Sequence, residues 1–342
     1  MYLFGTAQKR PMTDAIEKTL VDARAGQDVS FFDLHSIEQM SDADTSLIFA
    51  VARAFRASKT AKLGLCKGST QINCFFEPST RTQASFDLAA KHLGMDTTNV
   101  SGDSSSAKKG ESFIDTVETL DAYNARVLVV RSAEAGVAEM AARSVQAAVL
   151  NAGDGYHEHP TQGLLDALTM VDELGVDDLQ GKIITIVGDI RHSRVFGSLV
   201  RIVSRLGATV RVAAPETFVP AAVEHFGLTV YHDLADALTG ADVVYTLRVQ
   251  EERGAAGFVP TLREYSKTFG ISEERLNLAK PNAILLHPGP VIRDIDIHSA
   301  LVTRHPKSRI LRQVENGMAI RKALIWLLVE RHDGRVKQYA RM

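Results

Sequence analysis

Short apolar, β-branched runs recur along this chain of 342 residues, at 71–76, 125–130, 147–151, 182–188, 209–213, 242–246 and 283–287. Helix-patterned stretches fill the gaps, among them 87–93, 137–143, 161–174 and 195–205. Runs so continuously apolar suit strands buried on both faces, and their alternation with helices specifies parallel sheets. The expected fold class is therefore α/β: two domains, each a parallel β-sheet flanked by helices, joined by interdomain helices. The run at 182–188 opens a second αβ series, which places the break in the helix after His159-Pro160. The first domain is expected over 1–160 and the second over 161–315. An amphipathic helix from about 316, in a segment ending at 342, is expected to pack back on the first domain. Ligands in such folds sit beyond the carboxyl ends of the strands. The first thirty or so residues carry no readable chemistry.

Composition narrows the functional classes. The length suffices for two α/β domains with a sizeable core. Apolar content of 45% and charged content of 23% are ordinary for a globular protein. A net charge of −2 argues against a general nucleic-acid or membrane-surface binder, which carries a basic excess. Cys66 and Cys74 form no CxxC and have no companion histidine spacing, so they read as buried thiols in a reducing compartment. The opening MYLFGTAQKRPMTD lacks an apolar leader core, and no run approaches the ~18 residues of a membrane span. A cytoplasmic protein is expected.

The richest local signal is Phe75-Phe76-Glu77-Pro78-Ser79-Thr80-Arg81-Thr82. An apolar strand meets a proline and a hydroxyl-rich turn, and the helical pattern Phe86, Leu88, Ala89, His92, Leu93 follows. Ser79, Thr80 and Thr82 thus fall at a helix N-terminus, where unpaired N–H groups and the dipole favour an anion. Three hydroxyls and the Arg81 guanidinium add the donors that phosphate oxygens need.

Other segments after strands are bland singly. Ser104-Ser105-Ser106-Ala107-Lys108-Lys109-Gly110-Glu111 reads as a solvated turn or as a loop delivering a cation. Arg131 immediately follows the strand at 125–130 and alone would be a surface ion pair. His159-Pro160-Thr161-Gln162 sets a histidine at a helix start, with proline in the first turn. The dipole there disfavours imidazolium, so a neutral ring could donate to a carbonyl. His157 and His159 make an HxH pair without carboxylate support, too weak for a metal; no metal and no cofactor is expected. Gly188-Asp189-Ile190-Arg191-His192-Ser193-Arg194 is another strand-to-helix anion site and not a GxGxxG. Arg248 and Gln250 follow the strand at 242–246, and His287-Pro288-Gly289-Pro290 can line a pocket with carbonyls. Jointly, Arg81, Lys109, Arg131, Arg194 and Arg248 in a slightly acidic chain would repel one another unless a polyanion were their ligand.

The ordered set FFEPSTRT, SSSAKKGES, HPTQ, GDIRHSRV, LRVQEERG and HPGP, with QVENGMAIR near the end, resembles the aspartate carbamoyltransferase catalytic chain of the aspartate/ornithine carbamoyltransferase superfamily. The resemblance runs from about residue 70 to 321. It implies transfer of a carbamoyl group from carbamoyl phosphate to L-aspartate in pyrimidine biosynthesis. By it, Ser79, Thr80, Arg81 and Thr82 hold the phosphate, while Thr82, Arg131 and His159 polarise the carbonyl oxygen. Gln162 lies near the carbamoyl amine, with Gly289 and Pro290 in the same pocket. Arg194 takes the α-carboxylate of aspartate, and Arg248 with Gln250 the β-carboxylate. Family members are homotrimers, so Ser105 and Lys109 reach a neighbour's site, and Glu77 pairs with Arg194 and Arg253. Regulatory or dihydroorotase-like partner chains stay open.

Two positions depart from the family pattern: Gln83 where arginine is usual, and Ile292 where asparagine is usual after HPGP. An ornithine carbamoyltransferase, the nearest alternative, is expected to carry an acidic partner and a cysteine where Arg248 and Gly289 stand. A non-catalytic scaffold homologue should have lost some of the cations, and none is missing.

Overall fold

The first four strands, β1 (Thr70–Phe75), β2 (Asp96–Ser101), β3 (Val127–Ser132) and β4 (Ala148–Asp154), form one parallel sheet in the order β2-β1-β3-β4. A second parallel sheet comprises β5 (Ile183–Gly188), β6 (Thr209–Ala213), β7 (Thr229–Tyr231), β8 (Val243–Leu247) and β9 (Ile284–Leu286), in the order β7-β6-β5-β8-β9. This computed structural model describes residues 11–58, 62–102, 111–221, 223–250 and 261–333. Two parallel sheets flanked by helices are what the alternating pattern specified.

β2 and β7 were not expected. Both are edge strands with largely unburied side chains, such as Asp96 and Thr229. Their sequences therefore lack the apolar signature of the central strands, every residue of β3 and β8 being buried.

Helix α1 (Pro11–Arg24) occupies the stretch where no chemistry was readable, and α2 (Asp42–Ser58) follows it. α3 (Thr80–Leu93) starts at the hydroxyl cluster and ends on Gly94, at φ 87. α4 (Phe113–Asp121) and α5 (Val137–Ser144) cover the opposite face of the first sheet, closing a smaller apolar cluster around Cys74, Val117 and Leu128. α6 (Pro160–Leu174) leads from the first sheet toward the second and packs on α7 (Arg194–Arg205). α8 (Leu234–Leu238), α9 (Leu262–Phe269) and α10 (Glu273–Leu276) serve the second sheet region.

The last helix, α11 (Ile310–Asp333), begins six residues before the expected 316 and packs against α2, α3 and α6. Its apolar side chains Ile320, Leu324, Leu328 and Trp326 are buried, and Trp326 meets Phe55 edge-on at 6.0 Å. One continuous apolar core runs through α2, α3, α6, α7 and α11 to the second sheet. Both cysteines are free and buried, and burial pushes the Cys74 thiol up to about 12, which leaves it unreactive. Among the described residues, no helix is long and apolar enough to cross a membrane.

Candidate active site

Each sheet reverses its strand order beside its first strand, between β1 and β3 in one and between β5 and β8 in the other. A crevice opens at such a switch point because the connections leave in opposite directions. Here both crevices open on a single cavity of about 1350 Å³. Its wall includes Ser79, Thr80, Arg81 and Thr82 after β1, Arg131 from β3, and His159 and Gln162 after β4. Arg194 after β5, Arg248 and Gln250 after β8, and Gly289 and Pro290 after β9 complete the expected set. Ser105, Lys109 and Arg253 lie outside the described residues.

Three helices present their N-termini to this cavity: α3 from Ser79, α6 from His159 and α7 from Ser193. None of these three residues makes a side-chain capping hydrogen bond. Among helices away from the cavity, α5 also starts without a side-chain cap, on Gly136, but four others differ. α4, α8, α9 and α10 start on Ser112, Asp233, Thr261 and Ser272, and each of those side chains accepts a first-turn N–H. A cap satisfies donors that a helix would otherwise leave to water or a ligand. The three cavity-facing helix ends lack such side-chain caps, an arrangement suited to an anion.

Arg131 is aimed by an irregularity in the sheet. The β3–β4 register shifts between Val130 and Ser132, and Arg131 sits on that shift. Its Nη1 donates to the Ala152 carbonyl at 2.9 Å, and its Nε lies 3.5 Å from Glu77 Oε2. The same Glu77 oxygen is 2.6 Å from Arg194 Nη2, so one carboxylate ties the loops of the first sheet to those of the second. Gly153, at φ +116, allows both arginines to lie against the backbone. A Cβ there would sit 2.8 Å from Arg131 Nη1 and from Arg194 Cδ and Nη1. Gly153→Ala is expected to displace both guanidinium groups, and a shift near 1 Å at reacting groups can cost about a hundredfold in rate. Steady-state rates beside a circular-dichroism melt check this; a stable variant with unchanged kcat/KM would contradict the role.

His159 is fixed from behind. Its N–H donates to Ser198 Oγ at 2.9 Å, and that hydroxyl donates to Glu158 Oε2 at 2.7 Å. Glu158 is fully buried and also accepts from Ser36 Oγ at 2.5 Å and Ile37 N at 3.0 Å. His157 pairs with Asp154 at 3.2 Å, which raises its pKa, and among the described residues no three His, Cys, Asp or Glu side chains cluster to hold a metal.

The second-sheet side of the cavity is built by loops tied to each other. Asp189 takes His192 Nδ1 at 2.9 Å and the Gln250 N–H at 3.1 Å, holding the loop after β8 to the loop after β5. Burial lowers the pKa of Arg81, and Arg248 lowers it further, because two like charges face one space. Such an arrangement is complementary to an anion.

Next to them, His287 is buried and its pKa is lowered chiefly by desolvation. Its Nδ1 accepts from Gly289 N at 2.7 Å, leaving Nε2–H for Asp296 Oδ2 at 3.3 Å. Asp296 also accepts from the Ile292 N–H at 2.7 Å. That interaction uses only the backbone of residue 292, so the departure from asparagine leaves it intact. The other departure, Gln83, lies in the first turn of α3 and does not line the cavity.

The sequence reading missed a buried polar group behind the site. Asp166, one turn after Gln162 in α6, has no exposure. It accepts from Gln162 Nε2 at 3.0 Å and Gln313 Nε2 at 2.7 Å on Oδ1, and from Tyr245 Oη at 2.6 Å on Oδ2. Burial pushes its carboxyl up to about 7, against the pull of those donors and of Arg321. Arg321, also missed, lines the cavity, donates to Ser85 Oγ at 2.6 Å and lies 4.9 Å over the Phe86 ring. A carboxyl inside an otherwise apolar helix face was the available signal for Asp166.

Residues 33–172 match the model of the aspartate/ornithine carbamoyltransferase carbamoyl-P binding domain, and 180–328 match that of the Asp/Orn binding domain. The chain belongs to the aspartate/ornithine carbamoyltransferase family. It is 50% identical over 259 residues to the aspartate carbamoyltransferase catalytic subunit of Beijerinckia indica subsp. indica, covering 76% of this chain and 81% of that one. With the corresponding subunit of Rhodospirillum centenum it shares 45% over 304 residues, 88% of this chain and 95% of that one. In structure it resembles aspartate transcarbamoylase from Trypanosoma cruzi in complex with carbamoyl aspartate and phosphate, at TM-score 0.76 and 33% identity over 86% and 94% of the two chains. Ornithine carbamoyltransferase from Thermus thermophilus is similar too, at TM-score 0.77 and 25% identity over 87% and 99%.

Proposed function

We propose that this chain is an aspartate carbamoyltransferase, forming N-carbamoyl-L-aspartate and phosphate from carbamoyl phosphate and L-aspartate. The observation that carries the choice of acceptor is Arg248 facing Arg81 across the same space that Arg194 enters. A side-chain ammonium would be repelled there, whereas a dicarboxylate is attracted. Gly289 points the same way: at φ +71, a Cβ would fall 2.7 Å from Arg81 Nη1, so a cysteine there conflicts with this placement of Arg81. The curated relatives above are aspartate carbamoyltransferases, which supports the same acceptor.

The phosphate sits on the N-terminus of α3, held by Ser79, Thr80, Arg81 and Thr82. Thr82, Arg131 and His159 donate to the carbamoyl oxygen, where negative charge develops. Gln162, with Gly289 and Pro290, faces the carbamoyl amine. Arg194 holds the α-carboxylate of aspartate, and Arg248 and Gln250 the β-carboxylate. The aspartate amine attacks the carbamoyl carbon, a tetrahedral oxyanion forms, and phosphate leaves. No side chain becomes a nucleophile, so rate comes from positioning and preorganised charge. The leaving phosphate accepts the amine proton. Glu77, bound to Arg131 and Arg194 at once, couples the two substrate halves.

The functional unit is a cytoplasmic homotrimer acting in pyrimidine biosynthesis, with Ser105 and Lys109 entering the neighbouring subunit's site. The division between the carbamoyl-phosphate and aspartate halves falls at α6. Carbamoyl transfer to aspartate and to ornithine, measured on a preparation characterised by light scattering, tests the reading. Transfer to aspartate by a trimer is expected. Transfer to ornithine alone overturns the acceptor assignment, and a well-folded trimer inert toward both overturns the activity.

A further inference from the structure

Resting on that function, we infer that Asp166 is a positioning residue that turns the Gln162 amide so that its oxygen serves the cavity. Through Gln313 it also holds the HPGP turn, and the site thereby selects an acyl phosphate carrying an amide N–H over one carrying a methyl group.

An ionised carboxylate only accepts hydrogen bonds, so an amide beside it must present its nitrogen. Gln162 does so at 3.0 Å, which leaves its oxygen as the polar atom available to a ligand. Without Asp166 the amide could rotate and offer an N–H, which would face the carbamoyl N–H as donor against donor. Gln313 is oriented in the same way: its Nε2 donates to Asp166 at 2.7 Å, and its Oε1 accepts from His287 N at 2.9 Å. His287 Nδ1 then accepts from Gly289 N at 2.7 Å. One carboxyl thus sets two walls of the carbamoyl pocket.

Tyr245 Oη on the second carboxyl oxygen makes the device tolerant of protonation. If Asp166 takes a proton on Oδ2, that O–H can donate to the phenol oxygen once the phenol hydrogen turns away, and Oδ1 remains the acceptor for both glutamines. The charged group facing this carboxyl is Arg321, and the titratable one is Tyr245. The buried position explains why an isolated carboxyl is kept among apolar residues of α6: removing it strands three buried donors.

The test compares the KM for carbamoyl phosphate with the inhibition constant of acetyl phosphate, which replaces the amine by a methyl group. Wild-type transfer to aspartate is the control, and its absence is a failure of the proposed function and not of this inference. Asp166→Leu removes the acceptor at similar volume; it should raise KM about tenfold or more while acetyl phosphate inhibition moves less than about twofold. Asp166→Asn keeps an oxygen for both glutamines and should hold the ratio within about threefold of wild type. Constants that rise together in Asp166→Leu would mark a merely structural residue and overturn the inference. Equal loss of discrimination in Asp166→Asn would show that charge matters and not orientation, and would overturn it too. Should Asp166→Leu fail to fold, Gln313→Leu cuts only the HPGP branch, and an unchanged ratio in that variant counts against the inference.

Discussion

Replacing Arg81 by alanine should leave a folded protein whose kcat/KM for carbamoyl transfer falls at least about a hundredfold, since one donor to developing charge is worth about 2.7–4 kcal/mol. Arg81 lies in the first turn of α3, beside the N-cap Ser79, and faces Arg248 across the cavity. Its removal takes away a charge without touching the apolar core, because Phe86, Ala89, Ala90 and Leu93 carry the buried face of that helix. The melting temperature should therefore stay near that of wild type. Initial rates at saturating aspartate, with a thermal melt on the same sample, decide the matter. Near-normal turnover would remove Arg81 from the phosphate site.

Lys109→Ala should cost at least about a hundredfold by the same reasoning about a lost cation. The second half of the expectation concerns assembly. If Lys109 serves the neighbouring subunit, mixing inactive Lys109→Ala with inactive Arg194→Ala under conditions of subunit exchange should restore activity. One subunit then offers an intact Arg194 pocket and its neighbour an intact Lys109. Hybrid trimers confirmed by mass but without recovered turnover would place both residues in a single subunit's site.

Much of the site was legible because its parts are coded locally. Ser79-Thr80-Arg81-Thr82, His159-Pro160 and Ser193-Arg194 are each strand-to-helix junctions, and such junctions are written in consecutive residues. A parallel fold then places junctions at one edge of the sheet, so the chain order of the motifs carried over to space. The edge strands β2 and β7 were illegible, since partly exposed strands do not need apolar runs. The start of α11 was also misjudged, because Leu311 and Val314 are exposed at the cavity rim and blur its amphipathic pattern.

The sequence by itself determined the parallel α/β class, the strand-to-helix junctions that line the cavity, and the arginines that follow the strands. Backbone propensity and short motifs are enough for these. Only the tertiary structure decided how the cations are aimed and held. The register shift at Arg131, the Glu77 bridge between Arg131 and Arg194, and the close approach over Gly153 join residues from separate strands and helices. The Asp166 group does the same across α6, β8 and α11, with Gln313 147 positions away from it. Contacts at that separation leave no periodic trace, because each partner's local pattern is satisfied whichever polar side chain it meets in the core.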